Sequence, residues 1–383
     1  MNDKHLQKIF QNYIDQFEIL NDKDHAEYYK WQMAKKFRPM MDEALAAPQE
    51  VFAQKLADIK KETSNFIDSS VQPFGGLVEM AKKEPLKVQK MFQELFKEDG
   101  GDLLKRQQKI TDFLKQSHAL KETYFPDSFM YKSTFHSVTC YLFLYDPENN
   151  YAFKATNALE FADCVEFMDD WGSGENVRLD VYYRMCDQLV EKIMENEALL
   201  KTAASRYEDN FGIKAEELHP DSKKHILVFD IIYDCSAYGL YNGMTFQKIS
   251  TKERILSQER REKASELNEK YKMALAREAL LNEVKAYLNS IYTSGVTLKH
   301  KKYGEGVIKA NDGGHLVVDF GAAGEKKFGI MLSVANNIIR MDVEGYEERM
   351  NHYRQILKDE ESILRKVTSA KKELEPYLAY LEQ

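Results

Sequence analysis

The sequence has little of what marks a secreted, disulfide-bonded or membrane-spanning protein. Only four of its 383 residues are cysteines, and they lie far apart without any Cys-x-x-Cys pair. Zinc sites and disulfide frameworks need closely spaced or numerous cysteines, so neither is predicted and a reducing compartment fits. No run approaches the roughly 18 apolar residues of a membrane span, and residues 1–10 are polar rather than signal-like. We therefore expect a cytoplasmic protein that does not bind membranes.

Motifs for catalysis and nucleotide binding are absent as well. The sequence contains no Gly-x-x-x-x-Gly-Lys-Ser/Thr phosphate loop and no Gly-x-Ser-x-Gly nucleophile motif. His136 and Cys140 are close in sequence, but a histidine beside an apolar segment more often has a structural role. Gly304 and Gly306 lead into a strand, whereas a phosphate-binding loop leads into a helix. We therefore predict no catalytic residues, no cofactor and no metal.

What the sequence does contain is charge and moderate hydrophobicity. Hydrophobic residues make up 43% and charged residues 30%, which is ordinary for a protein rich in long helices. The formal net charge is −8. This excludes a wholly basic nucleic-acid coat but not a local basic patch. At this length we expect two or three domains rather than one core.

One segment, 297–341, has clear β character. A cluster of Asn, Asp and Gly at 311–314 separates the apolar residues Val307 and Ile308 from a second apolar run at 316–320. Such a cluster is a hairpin signal, because these residues tolerate positive φ. Gly321 and Gly324 then turn the chain again. We predict four or five short strands that curl into a small barrel over 295–341.

Long helices are predicted on both sides of this segment, over 250–292 and 343–383. The first contains leucine or alanine at every seventh position, and the second alternates apolar residues four and three apart. This heptad pattern predicts an antiparallel coiled-coil arm with the barrel at its tip. Two ordinary helices packed on the main body are an alternative. The same heptads could also join two chains, which would make the protein a homodimer.

The β segment also resembles a known module. The residues in question are His300-Lys301-Lys302-Tyr303-Gly304-x-Gly306-Val307, the strand that ends at Phe320, and Lys326-Lys327-Phe328. They are similar to the Tudor-like barrel at the C-terminus of UvrD/PcrA-type helicases, where a tryptophan stands in the place of Tyr303. The similarity covers 297–341 only. It implies an adaptor that docks on protein, RNA polymerase in the helicase case, or on nucleic acid, and it implies no catalysis.

The N-terminal body divides into a helical region, 1–120, and a mixed α/β region, 121–245. The apolar run at 137–145 is predicted as a strand or a buried segment, and the run at 225–233 as a buried strand. Over 25–235, a series of short motifs resembles the region that precedes the motor in McrB-like restriction GTPases: Tyr29-Lys30-Trp31 followed by Phe37, the Pro73 loop, 92–96, 151–154 with 161–162, 183–187 and 227–233. It implies bacterial defence, restriction–modification or another DNA transaction, and partners such as a helicase or nuclease complex. The motor itself is missing, so NTP hydrolysis is not implied.

Carboxylates in 163–234 offer a second class of function. Metal-dependent nucleases need carboxylates that converge on a cation. The candidates are Asp163, Glu166, Asp169, Asp170, Glu175, Asp180, Asp230 and Asp234. A solvated acidic face explains most of them more simply. Asp230 is the exception, because it lies in an apolar run and a buried carboxylate needs a partner.

The strongest functional cluster combines cations with an aromatic ring. Binding of nucleic acid needs both, for phosphates and for base stacking. The predicted contact residues are Lys299, His300, Lys301, Lys302, Tyr303, Lys326 and Lys327. We therefore predict a mostly helical α+β protein that acts as a non-catalytic adaptor and binds nucleic acid, or a nucleic-acid-processing machine, through the barrel. A metal-dependent nuclease and a structural protein that dimerises through its heptads are the alternatives.

Overall fold

A computed structural model describes residues 1–68, 71–208 and 212–381. The chain forms two compact units, Met1–Ser257 and Gln258–Gln383. The first unit contains eleven α-helices in its described residues: α1 Asp3–Leu20, α2 Tyr29–Ala46, α3 Gln49–Ile67, α4 Pro73–Lys83, α5 Pro85–Phe96, α6 Leu103–Tyr124, α7 Phe135–Tyr145, α8 Ala155–Cys164, α9 Leu179–Met194, α10 Glu197–Ala204 and α11 His225–Ala237.

A single hydrophobic core joins the regions 1–120 and 121–245. Its centre is aromatic: the Phe92 ring lies 5.2 Å from Phe113, 5.8 Å from Tyr141 and 6.1 Å from Phe74, measured between ring centroids. These rings come from four helices of the first unit. Tilted and edge-on contacts of this kind add to the stabilisation that comes from apolar burial.

Neither 137–145 nor 225–233 is a strand, because both segments are helices, α7 and α11. The alternative for 137–145, a buried segment, is confirmed. A capping box between Thr134 and Ser137 starts α7. The carboxylate of Asp221 accepts hydrogen bonds from the backbone N–H groups of Ile226 and Leu227 and so starts α11. Both helices are buried on nearly all sides, so their sequences carry no polar face that would reveal a helical period. The described part of 121–245 therefore contains no strand.

The second unit contains the sheet and the remaining helices. The long helix α12 crosses the boundary between the units. The elements are α12 Thr251–Ile291, β1 Thr297–His300, β2 Gly304–Asn311, β3 His315–Asp319, β4 Glu325–Gly329, α13 Ile330–Ala335, β5 Ile339–Arg340, α14 Tyr346–Lys358 and α15 Glu360–Leu374. A mostly helical α+β protein is thus confirmed. In the described residues, no helix combines the length and the apolar character that a membrane span requires.

The sheet is antiparallel, with strand order β4-β3-β2-β1-β5. The predicted hairpin at 311–314 is confirmed: it joins β2 to β3, and the Asp312 carboxylate accepts from the N–H groups of Gly314 and His315. A bulge between Ile308 and Ala310 shifts the register of β2 against β3. Such a bulge increases local twist. The described pairings do not join β4 to β5, so closure into a Tudor-like barrel stays a prediction.

Within the second unit, α12 runs antiparallel to α14 and α15. Tyr292 contacts Tyr346, Tyr287 contacts Tyr353, Lys285 pairs with Glu360, and Lys270 pairs with Glu373. The partner's number rises as the number on α12 falls, which is the signature of antiparallel helices. The second helix is not continuous as predicted, because α14 ends before Asp359 and α15 begins after it. A 3₁₀ segment that includes Pro376 follows α15, Glu375–Tyr380.

Candidate nucleic-acid interface

His300 fixes the turn between β1 and β2. Its Nδ1 atom accepts hydrogen bonds from the backbone N–H groups of Lys302, at 3.0 Å, and Tyr303, at 3.2 Å. A nitrogen that accepts these bonds carries no proton, so the neutral ring is protonated at Nε2. Burial, assisted by the charge of Lys302, lowers the pKa of His300 below its ordinary value. The turn is therefore held by a neutral imidazole at neutral pH.

Four rings form one aromatic cluster at this end of the sheet. The His300 ring lies 4.7 Å from Tyr303, 4.7 Å from Phe328 and 5.7 Å from Phe320, measured between centroids. Tyr303 lies 5.4 Å from Phe320 and 6.4 Å from Phe328. His300 and Phe320 are buried, whereas Tyr303 and Phe328 are partly exposed. His300 and Phe320 thus support the cluster from below, and Tyr303 and Phe328 are accessible to a ligand.

Gly306 makes room for this cluster. A Cβ atom at this position would lie 2.5 Å from Cδ1 of Phe320 and 2.8 Å from Cγ1 of Val318. Real Cβ atoms are not found so close to other heavy atoms, so the Phe320 ring can lie across β2 only because position 306 lacks a side chain. Gly306 therefore positions the ring that supports Tyr303.

Three lysines around the exposed rings are not neutralised. Among the described residues, Lys301, Lys302 and Lys326 make no salt bridge. The Nζ atom of Lys302 lies 5.4 Å from the centroid of the Tyr303 ring, and that of Lys326 lies 6.0 Å from it. Cations from the turn and from β4 therefore border the same aromatic ring.

The structure places the other two predicted lysines differently. Lys299 lies 3.1 Å from Asp342 and 3.6 Å from Glu305, and Lys327 lies 3.7 Å from Asp312. These carboxylates offset part of the positive charge at both positions. We define the Tyr303 face as Lys301, Lys302, Tyr303, Lys326 and Phe328. Lys299, His300 and Lys327 lie beside it or beneath it.

The charge of the β segment is opposite to that of the whole chain. Residues 297–341 contain seven Lys and Arg against four Asp and Glu, a formal net charge of +3 in a chain of net charge −8. A local positive field on an acidic protein attracts polyanions to one place rather than to the entire surface.

Phe320 and Phe328 are functional candidates that the residue pattern alone did not select. Their sequence positions fit the filling of a small core equally well. Phe328 lies in β4 and Phe320 directly follows β3. Each comes after a polar residue, so period-2 alternation predicts burial for both. In the structure only Phe320 is buried, at 8% exposure, while Phe328 is half-buried at the surface.

The candidate carboxylates between 163 and 180 form no cluster with the spacing of metal ligands in the described residues. They instead have separate partners: Asp163 pairs with Arg254, Glu166 accepts from Asn2, Asp169 pairs with Arg184, and Asp180 pairs with Arg178. A metal-dependent nuclease needs the opposite arrangement. These four carboxylates therefore do not form the site that this alternative requires.

Asp230 and Asp234 instead surround a buried lysine. The Nζ atom of Lys30 lies 2.5 Å from Asp230, 2.7 Å from Glu27 and 3.2 Å from Asp234. Burial alone would lower the pKa of Lys30, but these three carboxylates outweigh it and hold that pKa well above its ordinary value. The three carboxylates have the spacing of metal ligands, and the lysine ammonium lies among them. We call these four residues the Lys30 cluster.

The chain was also compared with known proteins. No protein-family model, no curated protein and no solved structure matches it. The similarities to the helicase barrel and to the restriction GTPases therefore stay predictions from short motifs. Function has to be argued from the geometry of the site.

Proposed function

We propose that this protein binds nucleic acid through the Tyr303 face and acts as a non-catalytic adaptor. The observation that carries the proposal is the partly exposed Tyr303 ring, whose centroid lies 5.4 Å and 6.0 Å from the unpaired ammonium groups of Lys302 and Lys326. Lysines supply the attraction for phosphates, and exposed rings supply stacking surfaces for bases.

The chemistry of the face favours this ligand over a simple anion. An inorganic anion would use the lysines but gain nothing from Tyr303 and Phe328. An apolar peptide would use the rings but would leave three ammonium groups without partners. A nucleic acid satisfies both sets of groups, because each nucleotide carries one negative charge and one aromatic base.

The adaptor role rests on what surrounds the face. The sheet lies between α12 and α14 in the chain, and these two helices pack together. The first unit supplies a separate folded body. We infer that the second unit attaches this body to nucleic acid. The similarity to the helicase barrel supports a wider role at nucleic-acid-processing machines, including docking on RNA polymerase or a nuclease complex.

The test is a binding titration with fluorescently labelled DNA and RNA at two salt concentrations. The double variant Lys301→Glu/Lys302→Glu should weaken binding strongly and lower the salt dependence, by roughly 1.5 in the slope of log K against log salt if both lysines contact phosphate. Lys371→Glu/Lys372→Glu, on the exposed surface of α15, makes the same change of charge outside the sheet and is the control.

Three outcomes are informative. Loss of binding in the first variant but not in the control supports the proposal. An equal loss in both would mean that only net charge matters, so the Tyr303 face would not be the site. No binding of any nucleic acid by the unchanged protein would refute the proposal and would leave protein docking as the role of the sheet.

A further inference from the structure

We propose that the ligand of the Tyr303 face is a single strand, with neighbouring bases stacked on Tyr303 and Phe328. This inference rests on the proposed function, because it specifies which form of nucleic acid the same face accepts. It follows from the spacing of the two partly exposed rings, from the buried rings that support them, and from the secondary-structure elements and cations around them.

The spacing of the rings does not match stacked bases. The centroids of Tyr303 and Phe328 are 6.4 Å apart, and their planes are inclined by 48°. Neighbouring bases in a duplex are parallel and separated by about 3.4 Å along each strand. Bases that cover both rings must therefore be unstacked from each other and tilted. A single strand can adopt such a conformation, whereas a duplex would have to be opened first.

The two rings are held in place before any ligand binds. His300 and Phe320 are buried and pack against both of them. The backbone of Tyr303 is fixed by its hydrogen bond to the His300 ring. Because the exposed rings are ordered in advance, a base that stacks on them does not have to supply the free energy for ordering them.

Within the described part of the chain, the β segment has no helix or free two-stranded ribbon suited to a groove of a duplex, since the hairpin strands β2 and β3 each pair with a further strand. Proteins read a duplex with an α-helix or a two-stranded ribbon in the major groove. The helix in the β segment, α13, spans six residues and contains no Lys or Arg. Its exposed side chain is apolar, since Leu332 is 69% exposed. The unpaired cations are instead at the margin of the rings, where the backbone of a stacked strand would pass.

The first experiment compares a single strand with its own duplex. Fluorescence anisotropy with a labelled 12-nucleotide DNA, the same strand annealed to its complement, and the matching RNA strand gives three affinities for the full chain. We expect the single strands to bind at least about tenfold more tightly than the duplex. Tyr303→Leu should weaken single-strand binding by about 5- to 100-fold, as expected for loss of one stacked base, and should change duplex binding little.

Tyr377→Leu is the matched control, because it removes a partly exposed tyrosine from the same unit but outside the sheet. Circular dichroism of both variants checks that the fold is retained. If Tyr303→Leu alters the fold, Tyr303→Trp provides an independent readout that keeps a flat ring. Its added emission should be quenched by the single strand and not by the duplex. The two tryptophans of the chain are only 1% and 5% exposed, which keeps their background constant.

The outcomes separate this inference from the proposed function. Preference for the single strand, lost in Tyr303→Leu, supports both. Equal or tighter binding of the duplex, unaffected by Tyr303→Leu but lost in Lys301→Glu/Lys302→Glu, would overturn the inference and leave nucleic-acid binding intact. Absence of binding to all three probes would overturn both.

Discussion

Replacement of Lys30 by methionine should destabilise the first unit severely. Lys30 is fully buried and provides the ammonium group that lies within 3.2 Å of three carboxylates. The ligand oxygens of Glu27, Asp230 and Asp234 lie within 4.8 Å of one another, so without Lys30 they repel at short range in a dry environment. Removal of one partner from a buried ion pair costs about 3–5 kcal/mol. That is about a fifth or more of the stability of a typical domain, about 5–15 kcal/mol.

The cost should depend on pH in a defined direction. In the unchanged protein, burial and the charge of Asp230 already raise the pKa of Asp234 well above its ordinary value. The charge of Lys30 opposes this rise, so without Lys30 the pKa of Asp234 should rise further and the folded state should hold a proton there more firmly. A folded state that binds more protons than the unfolded state loses stability as pH rises. The difference between Lys30→Met and the unchanged protein should therefore be smaller at about pH 5 than at about pH 8.

Urea unfolding followed by circular dichroism at both pH values measures this effect. The control is Lys36→Met, which removes a lysine on the same helix whose pair with Glu62 is about half exposed. This variant should change the free energy of unfolding by at most about 1 kcal/mol. A cost for Lys30→Met below about 1.5 kcal/mol, or a cost that is equal at both pH values, would refute the assignment of Lys30 as the counter-ion of the cluster.

Three further predictions concern the second unit. Gly306→Ala should lower the free energy of unfolding, measured with urea, by about 1–3 kcal/mol and weaken nucleic-acid binding, because the new Cβ atom displaces the Phe320 ring. Unchanged stability and binding would show that the ring can move without cost. Acidification below the ordinary pKa of histidine should destabilise the unit, because folding lowers the pKa of His300 and the unfolded state therefore binds a proton more readily. Protonation of Nδ1 would also remove the acceptor for the Lys302 N–H group. A His300→Phe variant should lack this part of the pH dependence of the free energy of unfolding. Tyr292→Phe should lower the free energy of unfolding by about 1 kcal/mol, because it leaves the buried hydroxyl of Tyr346 without the partner that lies 2.6 Å away. An unchanged free energy in urea unfolding would argue against this contact between the end of α12 and α14.

The sheet could be predicted because its signals are local. The residues 311–314 contain the turn chemistry itself: the Asp312 carboxylate binds the backbone N–H groups that the turn leaves unpaired, and Gly313 has a φ of +86°. Short strands lie on both sides of this turn. Structure that is determined by neighbours in sequence can be predicted from sequence.

The buried helices α7 and α11 could not be distinguished from strands in the same way. Their residues are mostly apolar, and α11 contains four β-branched residues. A continuous apolar run fits a central strand and a central helix equally well. The deciding interactions are at the ends, in the Thr134–Ser137 capping box and the Asp221 carboxylate. These are short polar signals that precede each run.

The Lys30 cluster was beyond sequence reasoning for a different reason. Asp230 could be singled out, because a carboxylate in an apolar run needs a partner. The partner itself lies 200 residues away on α2, and nothing near Lys30 in the sequence distinguishes it from a solvated helical lysine. Only the packing of α2 against α11 brings the charges together. The presence of a partner can thus be predicted from burial, but its identity depends on the tertiary fold.

For the Tyr303 face, too, the sequence predicts candidate residues, but the fold decides which of them are available for binding. The sequence indicated seven contact residues, but only the fold shows that Lys299 and Lys327 have acidic neighbours while Lys302 and Lys326 border the exposed ring. The support for that ring, Phe320, is also part of the core of the unit. A change at Phe320 would therefore alter stability and binding together and could not test recognition. Changes at the lysines and at Tyr303 leave this core residue in place, which makes them the informative probes of binding.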